Sequence, residues 1–319
     1  MPRLIRKTAI LAKIETTYGV DSTPTGAANA ILISNASFNI DYSNVSRDLI
    51  RPTLGGSEEL AGTRFSRIQF EVEWANSGTA GTAPAWGPLL RACGFAEASL
   101  TAPVRVEYTP ISATFTSLTI YHHLDGALRK LLGCVGTVEF RMGEGERPIM
   151  AFDFTGLDGG TTATADPTVT LTAFKTPAVV NDVNSGDIKL GGTYSAGTIT
   201  GGTPYPSRGL NINIGNTVSP IALLGGQRAS LTQREVTGSM QLDLSAADEV
   251  TFRTAVNTND LTSLSFEHQT GAGVGMLFHA PAVQRINPQD QEFNGEAQMS
   301  MDLRFTPSTG NDELRLVLL

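Results

Sequence analysis

The sequence contains only two cysteines, Cys93 and Cys134, among its 319 residues. Two thiols cannot form the disulfide framework that would hold a secreted chain together, so we expect buried or half-buried thiols in a protein assembled in a reducing compartment. No apolar run is long enough to cross a bilayer, which argues against membrane insertion. The basic N-terminus is followed by Lys13 and Glu15 instead of an uninterrupted apolar segment, so no secretory signal is expected.

Basic residues are in the minority. Lysine and arginine together number 23, against 31 aspartates and glutamates, and the net charge is -8. A protein that grips DNA through its phosphates needs a basic surface, so this charge argues against a nucleic-acid-binding protein of the usual kind. Any nucleic acid that the protein meets is expected to be repelled and not specifically bound.

The usual sequence motifs of catalysis are missing as well. There is no Gly-Lys-Ser/Thr phosphate loop and no Gly-x-Ser-x-Gly nucleophile turn. The four histidines lack the spacing of metal ligands, which indicates structural strand histidines. The glycine-rich segment 271–275 has no helix after it, so it predicts a hairpin turn and not a dinucleotide site. We therefore expect no enzyme activity, no cofactor and no metal site.

What the sequence does contain is the material of short strands joined by turns: 40% hydrophobic residues, 33 glycines and 16 prolines. Apolar and polar residues alternate over 68–74, 117–121 and 151–155, which predicts strands with one buried face. One helix is predicted over 85–92 and another over 246–256, with Ser245 as its N-cap. The fold class is therefore predicted to be mainly β (α+β), with antiparallel sheets.

Five segments recur in the same order in the second half of the chain, which indicates an internal duplication. The pairs are Phe38–Asp41 with Leu210–Asn213, Leu54–Gly56 with Leu224–Gly226, Phe70–Trp74 with Met240–Leu244, Thr116–His122 with Thr262–His268, and Met150–Phe154 with Met299–Leu303. We expect two copies of one mostly antiparallel β domain, each with one helix packed on it, at 31–156 and 204–319. An N-terminal arm at 1–30 precedes them. The Gly/Thr-rich segment 157–203 is predicted either as a linker or as a small β insertion with a strand-like piece at 168–171.

Several stretches of the first half resemble the tail tube proteins of long-tailed bacteriophages: 7–21, 24–30, 47–52, 78–86 and 89–95. The resemblance is weaker over 157–319. It implies a β-sandwich or partly open barrel that stacks as rings into a hollow tube, through which the genome leaves the capsid. The implied partners are further copies of the chain, other tail proteins at the tube ends and double-stranded DNA. The implied location is the virion tail, after assembly in the host cytoplasm.

An alternative class is a β-rich carbohydrate- or surface-binding module without catalytic activity. Such a module would share the Gly/Thr-rich composition, but it should carry a signal peptide and exposed aromatic platforms. Aromatic residues make up only 7% of the sequence, and the signal is not expected. The tail tube interpretation is therefore preferred.

Strand alternation also predicts which side chains would meet DNA in such a tube. The apolar face of the matched strands, with Phe70, Val72, Trp74, Met240, Leu242 and Leu244, should face the core. The opposite, acidic face should then line a negatively charged lumen over which DNA slides. The expected lining residues are Gln69, Glu71, Glu73, Asp153, Gln241, Asp243 and Asp302.

Three expectations concern assembly. The long polar loop 43–66 should lock one ring to the next, through Arg47, Asp48, Arg51, Glu58 and Glu59. The apolar C-terminal run 314–319 predicts a strand that pairs with a neighbouring subunit or packs into its own sheet. Because family members typically present six tube domains around the channel, a chain with two copies favours a trimeric, pseudo-sixfold ring over a hexamer.

Overall fold

The computed structural model describes residues 2–319, and 52% of the chain lies in β-strands. In the first half, the strands β1 to β9 are Thr8–Ile14, Ala30–Ile31, Ser34–Tyr42, Arg64–Glu73, Phe95–Thr101, Val104–Pro110, Leu118–Leu124, Ala127–Gly143 and Ile149–Ala163. Two short helices, α1 (Gly26–Asn29) and α2 (Gly87–Ala92), lie among them. The predicted class, mainly β with few helices, is confirmed.

Four short strands follow, β10 (Ile188–Leu190), β11 (Thr193–Ser195), β12 (Thr198–Thr200) and β13 (Thr203–Tyr205). The second half then contains β14 (Ser207–Asn213), β15 (Asn216–Leu223), β16 (Gly226–Arg234), β17 (Thr237–Leu242), α3 (Ala246–Thr258), β18 (Leu261–His268), β19 (Met276–Phe293), β20 (Glu296–Phe305) and β21 (Arg315–Leu318). The predicted hairpin turn at 271–275 joins the antiparallel strands β18 and β19.

Local chemistry explains where α3 begins and ends. Ser245 lies in an extended conformation, and its hydroxyl accepts a hydrogen bond from the backbone N–H of Asp248, as the N-cap prediction required. Asp248 and Glu249 place negative charge in the first turn, where the helix dipole favours it. Asn259 ends the helix in the left-handed conformation, which asparagine tolerates better than most residues.

Eight strands form one continuous antiparallel sheet in the order β3–β4–β9–β8–β14–β17–β20–β19. Strand β8 has 17 residues and pairs with β9 along one edge. Along its other edge it pairs first with residues 118–124 of β7 and then with β14. Strand β19 has 18 residues and pairs near its start with β18 and β21. The sheet is open, so its two edges are β3 and the C-terminal part of β19.

The strand order is the same in the two halves. In the first half the order is β3–β4–β9–β8–β7–β1, and in the second it is β14–β17–β20–β19–β18–β10. The helix follows the second strand of each series, because α2 follows β4 and α3 follows β17. The register also corresponds: Phe152 is paired with Phe70 in one half, and Met301 with Met240 in the other.

The larger of two hydrophobic clusters runs through both halves and forms the main core. Phe70, Val72, Trp74, Met240 and Leu242 are all buried within it, on the face predicted from the alternation. Leu244, which follows β17, packs partly buried against the same core. The two halves meet at an aromatic cluster, where the ring centroid of Phe278 lies 4.8 Å from that of Trp74 and 4.9 Å from that of Phe140. Such aromatic pairs contribute about 0.5–1.5 kcal/mol each beyond their buried area, so the halves are packed as one body.

The C-terminal strand β21 joins the halves a second time. It lies between β19 of the second half and β6 of the first, and its residues Leu316, Val317 and Leu318 are buried. The strand predicted over 314–319 is thus present, and it packs into the sheet of its own chain. Because both of its edges are paired, it offers no free strand edge.

Other parts of the chain differ from the sequence-based prediction. Residues 168–171 form no strand. The segment 164–187 consists of irregular backbone and turns with one isolated bridge, Ser185 with His268, and its Val180 reaches the core. Strand β9 continues to Ala163, beyond the predicted end of its domain. The N-terminal residues form part of the sheet, since β1 pairs with β7 along its whole length. The loop after β3 ends at residue 63, and only one isolated bridge, Val45 with Leu60, crosses it.

A buried carboxylate fixes β21 in place. Glu107 on β6 is only 5% exposed and accepts hydrogen bonds from Arg105 Nε (2.5 Å), Tyr194 Oη (2.5 Å) and Arg315 Nη1 (2.5 Å). Burial alone would raise the pKa of Glu107. The hydrogen bonds from Tyr194 and Arg105 and the charges of both arginines outweigh that effect and hold the pKa below its ordinary value.

We predict that Glu107→Gln lowers the free energy of unfolding at pH 7 by about 3 kcal/mol, because it leaves buried arginine charge uncompensated. A carboxylate with a depressed pKa stabilises the fold above its unfolded-state pKa of about 4.3, and that stabilisation is lost as the pH falls through the folded-state value. The difference between wild type and variant should therefore shrink between pH 5 and pH 3. Denaturant titrations across this range measure it.

The matched control is Glu249→Gln, which breaks an exposed ion pair with Arg253 on α3. Exposed pairs one helical turn apart contribute about 0.3–0.5 kcal/mol, so this variant should unfold almost like the wild type. A pH-independent loss in Glu107→Gln would contradict the assignment of a charged Glu107.

Candidate interaction surfaces

The polar face of the eight-stranded sheet is open, because the core packs on the opposite face. Helices α2 and α3 contribute Leu89, Leu90 and Phe252 to that core, so both helices lie on the apolar side. All seven residues expected to line a lumen belong to the polar side: Gln69 and the second-half residues Asp243 and Asp302 are exposed, and Glu71, Glu73, Asp153 and Gln241 are half-buried. An open cavity of about 350 Å³ lies over the first-half part of this face.

In the first half, the expected lining carboxylates are bound to arginines. Asp153 accepts from Arg67 Nε at 2.8 Å and also from Arg67 Nη2, and Gln69 donates to the same carboxylate at 3.0 Å. Hydrogen bonding to Asp153 raises the pKa of Arg67, although burial opposes this. The sequence gave no signal for this pair, because its partners are 86 residues apart and become cross-strand neighbours only through the β4–β9 pairing.

The other two first-half carboxylates are also paired. Arg141 on β8 donates from Nη1 to Glu71 (3.3 Å) and from Nη2 to Glu139 (2.6 Å). Glu73 accepts from Arg147 Nη1 at 2.8 Å. The predicted acidic patch is therefore a network of arginine–carboxylate pairs in this half.

The second-half residues have different surroundings. Asp302 accepts a hydrogen bond from Asn287 Nδ2 (2.9 Å), and Gln241 donates to Gln298 (2.7 Å). Asp243 is exposed just beyond the end of β17, with its backbone N–H bonded to Pro206. Within residues 2–319, no arginine donates a hydrogen bond to these side chains. The negative charges of Asp243 and Asp302 on this face are therefore not balanced by an arginine partner.

The loop 43–63 projects from the end of β3. Glu58 pairs with both Arg47 and Arg51, and Glu59 accepts from Asn44 at 3.2 Å, while Asp48 is exposed. Four of the five residues expected to act in stacking thus take part in polar contacts within the loop itself. Its tip is apolar, because Ile50 and Leu54 are fully exposed.

The matching connection in the second half is the regular hairpin β15–β16. Its tip also presents a fully exposed leucine, Leu224, followed like Leu54 by two glycines. The hairpin is anchored on the first half at two places. At its base, Asn216 Nδ2 donates a hydrogen bond to the carbonyl of Cys93 (2.7 Å), and midway along it the Tyr18 hydroxyl accepts one from the N–H of Ala229 (2.7 Å). This anchoring explains why β15–β16 is regular where the loop 43–63 is not.

Both edges of the eight-stranded sheet are free. Within residues 2–319, β3 pairs only with β4, and residues 289–293 of β19 pair only with β20. The equivalent segments inside the chain are paired to each other: residues 209–213 of β14 lie against 139–143 of β8. Residues 2–319 therefore contain one paired β8–β14 junction and two free sheet edges.

The titratable groups that most often carry chemistry are buried. Burial raises the pKa of both cysteine thiols well above the ordinary range. It lowers the pKa of all four histidines, to about 4 for His122 and His279, so they are neutral at pH 7. Residues 2–319 contain no group of three potential metal ligands. None of their helices combines the length and the apolar character that a bilayer span requires.

A comparison with protein families agrees with the resemblance stated above. The family model described as phage tail tube protein matches residues 5–310. No curated protein matches the chain. Because the family match extends over nearly the whole sequence and includes both halves, the chain belongs to the phage tail tube proteins, structural proteins of the bacteriophage virion tail.

Proposed function

We propose that this protein polymerises as stacked rings into the tail tube, and that the tube delivers the genome into the host. It assembles in the host cytoplasm, meets other tail proteins at the tube ends and performs no catalysis. The observation that carries this proposal is the β8–β14 junction, together with the two free edges that match it. A strand edge with unpaired N–H and C=O groups is a template for pairing with another chain.

The two halves are interpreted as copies of one tube domain, 31–156 and 204–319. The identical strand order, the matching register and the position of each helix support this interpretation. In it, β3 is the counterpart of β14, and residues 289–293 of β19 are the counterpart of 139–143 of β8. The free edge of β3 in one chain then pairs with the free edge of β19 in the next, and repeats the internal junction.

The register of this contact follows from the internal one. Within the chain, Asn213 lies opposite Glu139. The residue equivalent to Asn213 is Asn39, because it occupies the same place relative to β4 and β9 as Asn213 does relative to β17 and β20. This strand register differs by two residues from the sequence match, which aligned Asn39 with Asn211. By the same reasoning Gln289 is equivalent to Glu139. Asn39 of one chain should therefore lie opposite Gln289 of its neighbour.

Sheet closure favours three chains in a ring. With eight strands from each of three chains, about 24 strands close the sheet, and strands about 4.8 Å apart and tilted by about 40° give a backbone diameter of roughly 48 Å. Six chains closed through the same edges would give about twice that diameter. A hexamer requires the second copy to lie outside the wall, but β14, β17, β20 and β19 continue the same sheet.

The polar face of the closed sheet lines the lumen in this proposal, with Gln69, Glu71, Glu73, Asp153, Gln241, Asp243 and Asp302 on it. The support is that α2 and α3 pack on the other face, so closing the sheet with the helices outward turns the polar face inward. Double-stranded DNA then passes over a surface in which carboxylates outnumber arginines.

We predict that the double variant Asn39→Cys/Gln289→Cys forms disulfides between chains under oxidation. Opposed residues of an antiparallel pair have Cα atoms about 4.5–5.5 Å apart, within the range of a disulfide. Denaturing, non-reducing gels of assembled protein should show bands that end at three chains. Bands that continue to six chains would favour the hexamer.

The matched control is Glu139→Cys/Asn213→Cys, the equivalent pair inside one chain. It should oxidise under the same conditions without an increase in chain number, and the native thiols should not interfere because both are buried. If the control oxidises and the test pair gives only single chains, the proposed edge contact is wrong.

The loop 43–63, which lies within the predicted loop 43–66, and the β15–β16 hairpin are proposed to contact the adjacent ring. Four successive antiparallel pairings separate β3 from β14, so the two strands run in the same direction and both connections leave the sheet at the same end. Each tip presents an exposed leucine at an equivalent position, Leu54 and Leu224. In a three-chain ring these leucines form six apolar contacts towards the next ring, and Arg47, Asp48, Arg51, Glu58 and Glu59 surround the first set.

We predict that deleting residues 48–60 yields soluble protein that does not form tubes, and that Leu54→Ser/Leu224→Ser forms rings that stack poorly. The leucines lose apolar contact area only between rings, because they touch nothing within the chain. Electron microscopy and sedimentation measure the tube length and the fraction of free rings. The control is Val250→Ser, an exposed aliphatic residue on α3 that should leave tubes unchanged. Wild-type tubes from the deletion variant would refute the stacking role.

A further inference from the structure

Two arginines on the polar face of the sheet, Arg67 and Arg141, donate hydrogen bonds to carboxylates of the same face. Arg67 donates through Nε and Nη2 to both oxygens of Asp153, which is the two-pronged geometry of an arginine–carboxylate pair. Arg141 donates from Nε (3.0 Å) and Nη2 to Glu139, and from Nη1 to Glu71. In the second half, Arg304 Nη2 forms an ion pair with one carboxylate oxygen of Glu235.

These donors are the ones with which arginine binds phosphate. The guanidinium group matches phosphate oxygens with two parallel hydrogen bonds, so an unoccupied arginine on a DNA-facing surface is a retention site. Each phosphate that is neutralised also releases counterions, which strengthens the retention at low salt. A surface over which DNA must move therefore has to keep its arginines from phosphate.

Stability does not account for the pairs. Arg67 and Arg141 are 49% and 44% exposed, and ion pairs of this exposure contribute about 0–1 kcal/mol. The negative charge of this surface does not depend on the two arginines either. Residues 67–73 of β4, 137–141 of β8 and 149–155 of β9 contain two arginines and four carboxylates, so the surface would remain acidic without the arginines.

We propose that Glu71, Glu139 and Asp153 mask Arg141 and Arg67, so that the polar face lets the phosphate backbone of duplex DNA slide past without holding it. The Arg67–Asp153 pair lies across β4 and β9. The inference rests on the proposed function, because it requires that DNA meets this face. Its test uses DNA binding by the soluble chain and does not depend on ring formation.

The test compares three full-length soluble variants with the wild type, by fluorescence anisotropy of a labelled duplex across a salt series. Glu71→Gln/Glu139→Gln frees Arg141, and we expect roughly tenfold tighter binding at low salt, with a salt dependence steeper by about one counterion. Adding Arg141→Gln to this variant should return binding to the wild-type level. Melting temperatures of the variants verify that all are folded.

The matched control is Asp243→Asn/Asp302→Asn, which removes two negative charges from the same face but frees no arginine. Its binding should change much less than that of Glu71→Gln/Glu139→Gln. An equal gain in the two double variants would show that net charge alone governs binding and would overturn the masking role. Retention of the gain after Arg141→Gln, or no gain in the first variant, would overturn it as well. Failure of ring formation would leave these outcomes unchanged and would refute only the proposed function.

Discussion

The pairing of β8 with β14 is the constraint on which the rest of the structure depends. It joins residues 139–143 to 209–213 and turns two four-stranded sheets into one sheet of eight strands. Because main-chain hydrogen bonds fix strand direction and register, this one junction determines where each half faces and leaves β3 and the end of β19 as complementary edges. A chain built from two halves in this way contains its own example of the contact that we propose between chains.

The residues that carry the family resemblance near the N-terminus have a structural explanation. Glu15 is buried and accepts hydrogen bonds from Ser117 (2.7 Å), Thr119 (2.9 Å) and the N–H groups of Gly19 and Gly133 (both 2.8 Å). Four donors satisfy a carboxylate that would otherwise be costly to bury. The glutamate thereby holds β1 against β7 and places Tyr18 where it reaches the second-half hairpin. This part of the motif therefore supports the packing of the two halves against each other.

Sequence patterns predicted the local features of the fold well and the long-range ones poorly. Alternation identified the buried faces of β4 and β17, and the Ser245 cap identified the start of α3, because both depend on neighbours along the chain. The prediction of a strand-like piece at 168–171 was wrong, because β-branched composition alone does not supply a strand to pair with. The surface residues Gln69, Glu71, Glu73 and Asp153 could be assigned to a polar face. The arginines that bind the three carboxylates lie 70 to 86 residues away, so these pairs depend on strand register.

That dependence changes what the net charge of -8 means for the surface. Composition counts charges, whereas the approach of a polyanion depends on which donors remain free. The donors of Arg67 on β4 and of Arg141 on β8 are directed at carboxylates of the same sheet face, so the sheet itself determines how much positive charge DNA would meet. The same cross-strand register that builds the proposed wall therefore also sets its electrostatics. A shift of β9 by one residue would turn Asp153 to the core face and leave Arg67 exposed to phosphate.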